Sequence, residues 1–340
     1  MTTSTLPRHA LREDAGALST TALAALCKAA AEPLRLAILR LLARESFGVL
    51  ELARMLDCTQ SRMSHHLKVL ADAGLVLRRR EGNSIFYRRS NRARQAELEG
   101  LQMALLAAAD ALPLDAGVVA RREQVQAERA ERSRQFFEEH ASAFRQHQEQ
   151  VVEYELYGLH AARLLDQLFP EGGRLALEIG PGEGQFLGEL SRRFERVLAL
   201  DNAPRMLARA RQHLAAEGLD NVELLAGDTG HPGLPGLAAE CAVLNMVLHH
   251  VPSPAALFAD LADALAPGGV LVVTELCRHD QAWTQALCGD LWLGFEPEEL
   301  DHWAAAAGLS EDGDGIYLAQ RNGFQVQIRP FRRPAFTDPL

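Results

Sequence analysis

The chain has 340 residues, of which 48% are hydrophobic and 24% charged, and its formal net charge is −10 at pH 7. This length is typical of two domains with packed cores, and the acidic balance excludes a protein that is basic throughout. Five cysteines, an odd number with no close pair, suit a reducing cytoplasm and give no zinc-binding spacing, so we expect a cytoplasmic protein without a metal. No stretch approaches the length of a membrane span, and we expect no membrane partner.

The first part of the chain is predicted to be helical after a flexible tail. Residues 1–20 contain charged side chains and no long apolar run, which indicates a tail and not a signal peptide. Apolar residues at helical spacing extend over 20–42, with a second helix starting at Pro33. A further short helix follows within 50–56.

A helix-turn-helix motif is predicted next. Thr59 is a favourable N-cap for a helix over Gln60–Ala73. In that helix Met63, Leu67 and Leu70 repeat at i, i+4 and i+7 and are expected to face the core, which leaves polar side chains outward. Such side chains read base edges and phosphates. We therefore predict DNA contacts from Gln60, Ser61, Ser64, His65 and Lys68.

A basic β-hairpin is predicted after this helix. Residues 75–80 and 85–89 have the pattern of two strands around a turn at 81–84. Between residues 61 and 94 there are nine Lys or Arg against two acidic residues, and such a local excess is the electrostatic footprint of phosphate binding. A solvated charged hairpin is the alternative. The predicted contacts on the hairpin are Arg79, Arg80 and Arg88.

Residues 31–90 resemble the winged-helix repressors of the arsenic-responsive (ArsR) family. The resemblance lies in EPLRLAILRLL, LELARML, TQSRMSHHLKVLADAGLV and RRREGNSIFYR. It implies a homodimer that binds double-stranded DNA at a palindromic operator. Metal-sensing members often place two cysteines around a valine where this chain has Gly48-Val49-Leu50, so soft-metal sensing there has lost its ligands. Cys27 and Cys58 could form another thiol site. The alternative is that each is a buried cysteine that packs as a small hydrophobic residue.

A helical segment is expected to join this domain to a second one. The pattern over 91–112 predicts a helix that could pair with a second chain, and Pro113 to Gly117 interrupts it. The charged segment that follows is expected to dock on the second domain through Phe136, Phe137 and Phe144. The predicted boundaries are a tail at 1–20, a winged helix-turn-helix domain at 21–112, a helical connector at 113–150 and an α/β domain at 151–340.

The second domain begins with a strand that leads into a glycine-rich turn. Residues 174–188 read RLALEIGPGEGQFLG, a short buried strand, a turn and the start of a helix, which favours a nucleotide-type ligand. A second strand over 196–200 ends in Asp201, placed to accept hydrogen bonds from two ribose hydroxyls. Strands follow over 222–226, 242–247, 266–275, 316–320 and 324–329. This alternation predicts an α/β Rossmann-like domain with a seven-stranded, mostly parallel sheet.

The order of these motifs, from about residue 159 to residue 330, resembles the class I S-adenosylmethionine-dependent methyltransferases. It consists of E-x-G-x-G-x-G, a strand ending in LD, then GD, NMVLHH and APGGVLVVTE. The resemblance implies S-adenosylmethionine or S-adenosylhomocysteine as ligand, with Asp201 on the ribose and Asp228 with Thr229 at the adenine. The cofactor-binding residues it implies are Glu178, Gly180, Pro181, Gly182, Gly184, Asp201, Asn202, Met206, Asp228, Thr229 and Asn245.

Two roles are open for the second domain. His249 and His250 could supply a general base for a methyl acceptor, or shape the cofactor site. Trp283 and Trp292 could line an acceptor pocket or serve as packing. The favoured hypothesis is an ArsR-type repressor whose second domain senses the sulfur nucleoside. The alternative is an active methyltransferase of a small molecule with an attached DNA-binding domain.

Overall fold

The computed structural model describes residues 19–82, 84–90, 92–140 and 144–335, without the side chains of 144–146. The predicted tail therefore lies outside the described residues as far as residue 18. The chain divides into two compact units, the first made of residues 1–79 and 86–119 and the second of residues 80–85 and 120–340. Each unit is described by itself below.

The first unit has the elements of a winged helix-turn-helix domain. Its two-residue strand β1 pairs antiparallel with β3, in a sheet of order β1-β3-β2. A 3₁₀ turn at Ala96–Leu98 precedes the last helix. The elements are α1 (Thr20–Ala30), α2 (Pro33–Leu41), β1 (Phe47–Gly48), α3 (Val49–Met55), α4 (Gln60–Asp72), β2 (Val76–Glu81), β3 (Ser84–Arg89) and α5 (Glu99–Ala111).

Local chemistry explains the helix-turn-helix geometry. Asp57, between α3 and α4, has φ of +47°, a left-handed conformation that Asp tolerates better than most residues. Thr59 then caps α4, since its hydroxyl accepts a hydrogen bond from the amide of Arg62 at 3.4 Å. Met63, Leu67 and Leu70 have no exposed surface. The predicted N-cap and buried face are therefore confirmed.

The helix predicted from Asn91 begins later in the structure. Its first turn is at Ala96 and its α-helical part starts at Glu99, whereas Asn91 itself lies outside the described residues. Arg94 explains the delay, because its guanidinium donates to the carbonyls of Ala71 and Asp72 at the end of α4, at 2.7 and 3.0 Å. These bonds satisfy helix-terminal carbonyls and hold Arg94 against the end of α4.

The second unit is built on a mostly parallel sheet of order β10-β11-β8-β7-β4-β5-β6, with β9 paired to β11. The two-residue β9 adds a strand to the seven that the sequence predicts. Pairs among β4 to β8 are parallel, and those of β11 with β8, β9 and β10 are antiparallel. The strands are β4 (Gly173–Ile179), β5 (Phe194–Asp201), β6 (Val222–Ala226), β7 (Ala239–Asn245), β8 (Leu265–Leu276), β9 (Ser310–Glu311), β10 (Ile316–Ala319) and β11 (Gln325–Arg332).

Helices accompany this sheet along the chain. They are α6 (Ala116–His140), α7 (Phe144–Val151), α8 (Tyr154–Leu168), α9 (Leu187–Ser191), α10 (Pro204–Glu217), α11 (Pro254–Ala264), α12 (Trp283–Leu287) and α13 (Pro297–Ala306). The strand predicted to reach Val247 ends at Asn245, because the next residue, Met246, takes φ of +57°. β4 has β5 on one side and β7 on the other, so the strand order reverses there. A ligand site is expected at the carboxyl ends of such strands.

The segment predicted as a connector belongs largely to the second unit, which includes residues from 120 onward. Phe136 and Phe137 on α6 pack against a small core of Ala203 and Met206, so docking through these two rings is confirmed. The third predicted ring, Phe144, has a side chain outside the described part of the chain. α6 is therefore a component of the second unit's architecture over most of its length.

Among the described residues, no single helix has both the length and the apolar composition needed to cross a membrane. One pair, Ala96–Ala111 with Ala116–His140, meets those requirements when taken together but is bent by 98°. All five cysteines are free thiols, and Cys27 is exposed while Cys58 is half-buried, so neither is the buried small hydrophobe considered above.

Candidate functional site

A cavity of about 410 Å³ lies in the second unit at the carboxyl ends of β4, β5 and β7. Its walls contain ten of the eleven cofactor-binding residues predicted from the sequence. The parallel sheet explains this convergence, since residues far apart in sequence follow neighbouring strands. The ten are Glu178, Gly180, Pro181, Gly182, Asp201, Asn202, Met206, Asp228, Thr229 and Asn245.

The glycines of the turn after β4 have three different roles. Gly180, with φ of +64°, is in close contact with Val247, since a Cβ there would lie 2.8 Å from that side chain. At Gly182, φ is +56° and a Cβ would meet nothing within 4 Å, so the backbone faces open cavity space. Gly184 is not in the cavity wall, and a Cβ there would lie 3.5 Å from Cα of Ala210 on α10. Gly184, unlike the other predicted cofactor residues, is therefore closest to helix packing in this structure.

Glu178 is a buried carboxyl in the cavity wall near the end of β4. It is 2% exposed, and Asn245 donates to its Oε1 at 3.3 Å while Oε2 has no hydrogen-bond partner. Burial raises the pKa of Glu178 to about 8, because water is not there to solvate the ionised form. An unpartnered carboxyl oxygen at this position suits a ligand that brings an ammonium group.

Asp201 provides a second carboxyl at the end of β5. Its Oδ1 accepts a hydrogen bond from the amide of Ala203 at 2.8 Å. Burial raises the pKa of Asp201 to about 6, although hydrogen bonds from backbone amides oppose the shift. The group is therefore largely ionised at neutral pH and able to accept hydrogen bonds from ligand hydroxyls.

The opposite part of the cavity contains Asp228, Thr229 and one residue that the sequence did not indicate. The hydroxyl of Thr229 donates to Oδ2 of Asp260 on α11 at 2.5 Å, and Asp228 accepts from the amide of Gly230 at 2.9 Å. Asp260 also lines the cavity. Its place in an ordinary helix gave no sequence signal of this role. These groups offer hydrogen-bonding partners to a polar heterocycle.

Helix α6 forms a wall of the cavity that the sequence analysis missed. The many charges of this segment are typical of a solvated face. The available signal was the series Gln126, Ala130, Ser133 and Phe137 at i, i+4, i+7 and i+11, because these uncharged residues form one helical face. The wall residues on α6 are Gln126, Ala127, Ala130, Ser133 and Phe137.

The two histidines after β7 lie in different environments. His249 is 3% exposed and is not in the cavity wall, whereas a general base has to reach the methyl acceptor. Burial alone would lower the pKa of His249, but the carboxylates of Glu275 and Asp290 raise it to about 9. His250 does line the cavity, with its ring centroid 4.9 Å from that of Phe137, and burial lowers its pKa.

The two tryptophans considered for an acceptor pocket do not line the cavity. The indole of Trp292 is buried and donates to the carbonyl of Val251 at 2.8 Å. The indole of Trp283 donates to Gln281 at 2.9 Å, and its ring lies against Phe324. Packing, the second of the two alternatives, describes both.

In the first unit, the polar face predicted for α4 is exposed to solvent. All five side chains assigned to DNA contact on this helix are exposed. The next residue, His66, is only 8% exposed, and its Nδ1 lies 3.7 Å from Glu32 and 3.4 Å from Arg35. His65 is thus exposed and His66 is buried, because neighbouring residues of a helix point in different directions.

The basic surface of the hairpin is smaller than the count of charges indicates. Arg79, one of the predicted DNA contacts, is only 6% exposed, whereas Arg78 and Arg80 on either side are exposed. Successive residues of a strand point to opposite faces, and three consecutive arginines cannot share one. Arg88 is half-buried, and Arg89 forms two hydrogen bonds to Asp110 at 2.8 and 2.9 Å.

Two regions of the chain match known protein families. Residues 32–77 match the bacterial regulatory proteins of the arsR family, and residues 177–273 match a methyltransferase domain. These regions coincide with the helix-turn-helix elements and with most of the strands around the cavity.

Individual relatives match parts of the chain. A ubiquinone biosynthesis O-methyltransferase from Xanthomonas euvesicatoria is 30% identical over 178 residues, which cover 46% of this chain and 72% of the relative. An uncharacterized 37.1 kDa protein of a Streptomyces fradiae transposon is 36% identical over 115 residues, 33% of either chain. Among solved structures, the N-methyltransferase NodS from Bradyrhizobium japonicum with S-adenosyl-L-homocysteine is 20% identical with a TM-score of 0.47, over 60% of this chain and 99% of that one.

The buried carboxyl of Glu178 predicts a pH-dependent stability difference. Its pKa is about 8 in the folded protein against an ordinary value of 4.5, so folding favours the neutral form. The stability this form contributes is fully present below about pH 4.5 and is lost as pH rises towards 8. Glu178→Gln should therefore be more stable than the parent protein, by on the order of 3 kcal/mol near pH 8 and little near pH 5.

Thermal unfolding of the ligand-free protein across this pH range measures the difference. Glu195→Gln, at an exposed position of the adjacent strand β5, is the matched control and should follow the parent. Parallel stability curves for Glu178→Gln and the parent would show that the carboxyl is not destabilised by burial.

Proposed function

We propose that this chain, which belongs to the class I S-adenosylmethionine-dependent methyltransferases and carries a helix-turn-helix domain of the bacterial arsR family, is a DNA-binding repressor controlled by a sulfur nucleoside. The methyltransferase domain is the effector site in this proposal. The helix-turn-helix domain is the operator-binding part. Three groups of observations support it.

The cavity has the groups that such a nucleoside requires. Glu178 offers an unpartnered carboxyl oxygen to the ammonium of the methionine part, and Asp201 offers a carboxylate to the ribose hydroxyls. Gly182 leaves the space that a close backbone approach needs. When S-adenosylmethionine is bound, its sulfonium supplies an activated methyl group. These features fit S-adenosylmethionine and S-adenosylhomocysteine alike.

Helix α6 is the observation that carries the regulatory part of the proposal. It starts at Ala116, within the first unit, and its residues from 126 to 137 form a wall of the cavity in the second. A ligand in the cavity therefore contacts a helix that continues into the DNA-binding unit. Regulation requires the ligand to bind the DNA-competent and DNA-free forms with different affinities, and α6 is the element that can respond to both.

The first unit has the surface expected of a dimeric DNA-binding protein. Its recognition helix α4 presents five polar side chains, and α5 exposes Leu101, Met103 and Leu112, which are 45%, 52% and 48% accessible. We propose that a second copy of the chain covers these apolar side chains. The two recognition helices would then meet the two half-sites of a palindrome.

S-adenosylhomocysteine is the effector we propose. The chain has Gly48 and Leu50 where metal-sensing relatives place cysteines, so the second domain would take over the sensing role. The demethylated nucleoside lacks the methyl group of S-adenosylmethionine and carries the same ammonium and ribose. A cytoplasmic repressor that responds to it would report the extent of methyl transfer in the cell.

Catalysis is a second candidate function. The cofactor residues line the cavity, and one relative at 30% identity is named an O-methyltransferase. His250 lies in the wall with a lowered pKa, which keeps its imidazole neutral at pH 7 and able to accept a proton from a small-molecule acceptor. Transfer of labelled methyl from S-adenosylmethionine to a small molecule would establish this function.

Two glycine variants test the ligand site. Gly182→Ala and Gly184→Ala both place a Cβ on a residue of positive φ, at +56° and +89°. Each should lose on the order of 1 kcal/mol of folding stability. Only the Cβ at residue 182 extends into cavity space, so Gly182→Ala should weaken S-adenosylhomocysteine binding at least about tenfold, whereas Gly184→Ala should bind nearly as the parent. Isothermal calorimetry measures both, and equal losses of affinity would contradict the assignment.

Fluorescence anisotropy tests the repressor. A labelled DNA fragment from upstream of the protein's own gene is titrated with the protein, and then with S-adenosylhomocysteine or S-adenosylmethionine without any acceptor. We expect two chains per operator and a several-fold change in DNA affinity at micromolar ligand. His65→Ala should lose about 1–3 kcal/mol of specific binding for each lost base contact.

The variant Asp201→Ala separates DNA binding from the response to ligand. It should bind DNA as the parent does and lose the response to ligand, because Asp201 lies in the cavity wall of the second unit. Specific DNA binding that neither nucleoside alters would contradict the regulatory proposal and leave catalysis as the remaining function.

A further inference from the structure

A group of buried ligating side chains lies beneath the cavity wall, outside the nucleoside site. His249 and His250 come from the turn after β7, and Asp290 follows α12. Oδ1 of Asp290 is 3.9 Å from Nε2 of His249 and 3.8 Å from Nδ1 of His250. One ligating atom from each of the three residues lies within 4.8 Å of the other two. All three residues are buried.

The carboxylate of Asp290 is the unexplained group in this cluster. Its side chain is 1% exposed, and neither oxygen has a hydrogen-bond partner. The hydroxyl of Thr284 donates instead to the carbonyl of Gln281 at 3.2 Å. The distances to the two imidazoles are too long for hydrogen bonds. A buried carboxylate without hydrogen-bond donors is costly unless a cation compensates its charge, and the imidazole of His249, 3.9 Å away, is shared with Glu275.

We propose that His249, His250 and Asp290 bind a divalent first-row transition metal ion, with Zn²⁺ as the reference. Two imidazole nitrogens and one carboxylate oxygen are the donor set of open tetrahedral zinc sites, in which a further ligand completes the coordination. The ion would occupy the space between the three ligating atoms and draw them together. This site does not depend on the proposed regulation, since it shares only His250 with the cavity wall.

Glu275 supports the assignment from outside the three ligands. Its Oε1 lies 2.5 Å from Nδ1 of His249, and its Oε2 accepts from the backbone amide of His249 at 3.2 Å. A carboxylate on one ring nitrogen fixes the tautomer and turns the other nitrogen to the metal. With the ion bound, His249 is neutral and donates its Nδ1 proton to Glu275. The two carboxylates then balance the charge of the divalent ion.

The ion would link the turn after β7, which contributes His250 to the cavity wall, to the segment that follows α12. The carbonyl of His249 already accepts from the amides of Leu291 and Trp292 at 2.8 and 3.1 Å. A metal shared by the histidines and Asp290 would add a strong link between the same segments. The sequence expectation of no metal was based on cysteine spacing alone, and a ligand forty residues from a histidine pair gives no motif.

Cobalt binding and thermal unfolding of the full chain test the site. Protein treated with a chelator and dialysed should bind one Co²⁺ per chain with visible absorption typical of low coordination number, and Zn²⁺ should displace it. Zn²⁺ should also raise the thermal midpoint of the parent. Asp290→Asn should lose both effects, and Asp263→Asn, at an exposed aspartate of α11, should keep them.

A different set of results would show that there is no metal site. If the parent binds no Co²⁺ with such absorption, and Asp290→Asn has a higher thermal midpoint than the parent with or without Zn²⁺, then Asp290 is a buried carboxyl group that carries a proton and there is no metal site. The cobalt measurement on the parent decides the proposal by itself if Asp290→Asn does not fold.

Discussion

The burial of two carboxyl groups at the carboxyl ends of neighbouring strands is the constraint on which the site depends. The parallel pairing of β4 and β5 brings Glu178 and Asp201 to the same edge of the sheet, and burial raises the pKa of both. Neither group stabilises the ligand-free fold through an ion pair among the described residues. A ligand with an ammonium and hydroxyl groups would compensate for the desolvation of these two carboxyl groups. They therefore indicate binding and not stability.

In the proposed regulation, helix α6 is the element that connects the binding site to the rest of the chain. Its first residues, from Ala116, belong to the first unit, and its residues from 126 to 137 line the cavity. A bound ligand would stabilise one position of α6 relative to another. This is the minimum that linkage between two sites requires, and it needs no contact between ligand and DNA.

Much of this architecture could be predicted from the sequence because its motifs are local. The resemblance carried by the ordered motifs predicted eleven cofactor-binding residues, ten of which line the cavity, and Thr59 predicted the start of the recognition helix. What sequence could not show depends on partners distant in the chain. Asp260 joins Thr229 only in the fold, Arg79 is turned inward by the strand's alternation, and the environments of His249 and His250 differ because Glu275 contacts Nδ1 of His249.

The most direct measurement is the number of protons released when S-adenosylhomocysteine binds, obtained by calorimetry at pH 7 in buffers of different ionisation enthalpy. Glu178, with a pKa of about 8, is mostly protonated in the ligand-free protein and must ionise to pair with the ammonium. The account predicts release of close to one proton by the parent and of about none by Glu178→Gln, which should also bind more weakly. Tight binding with no proton release by the parent would contradict it.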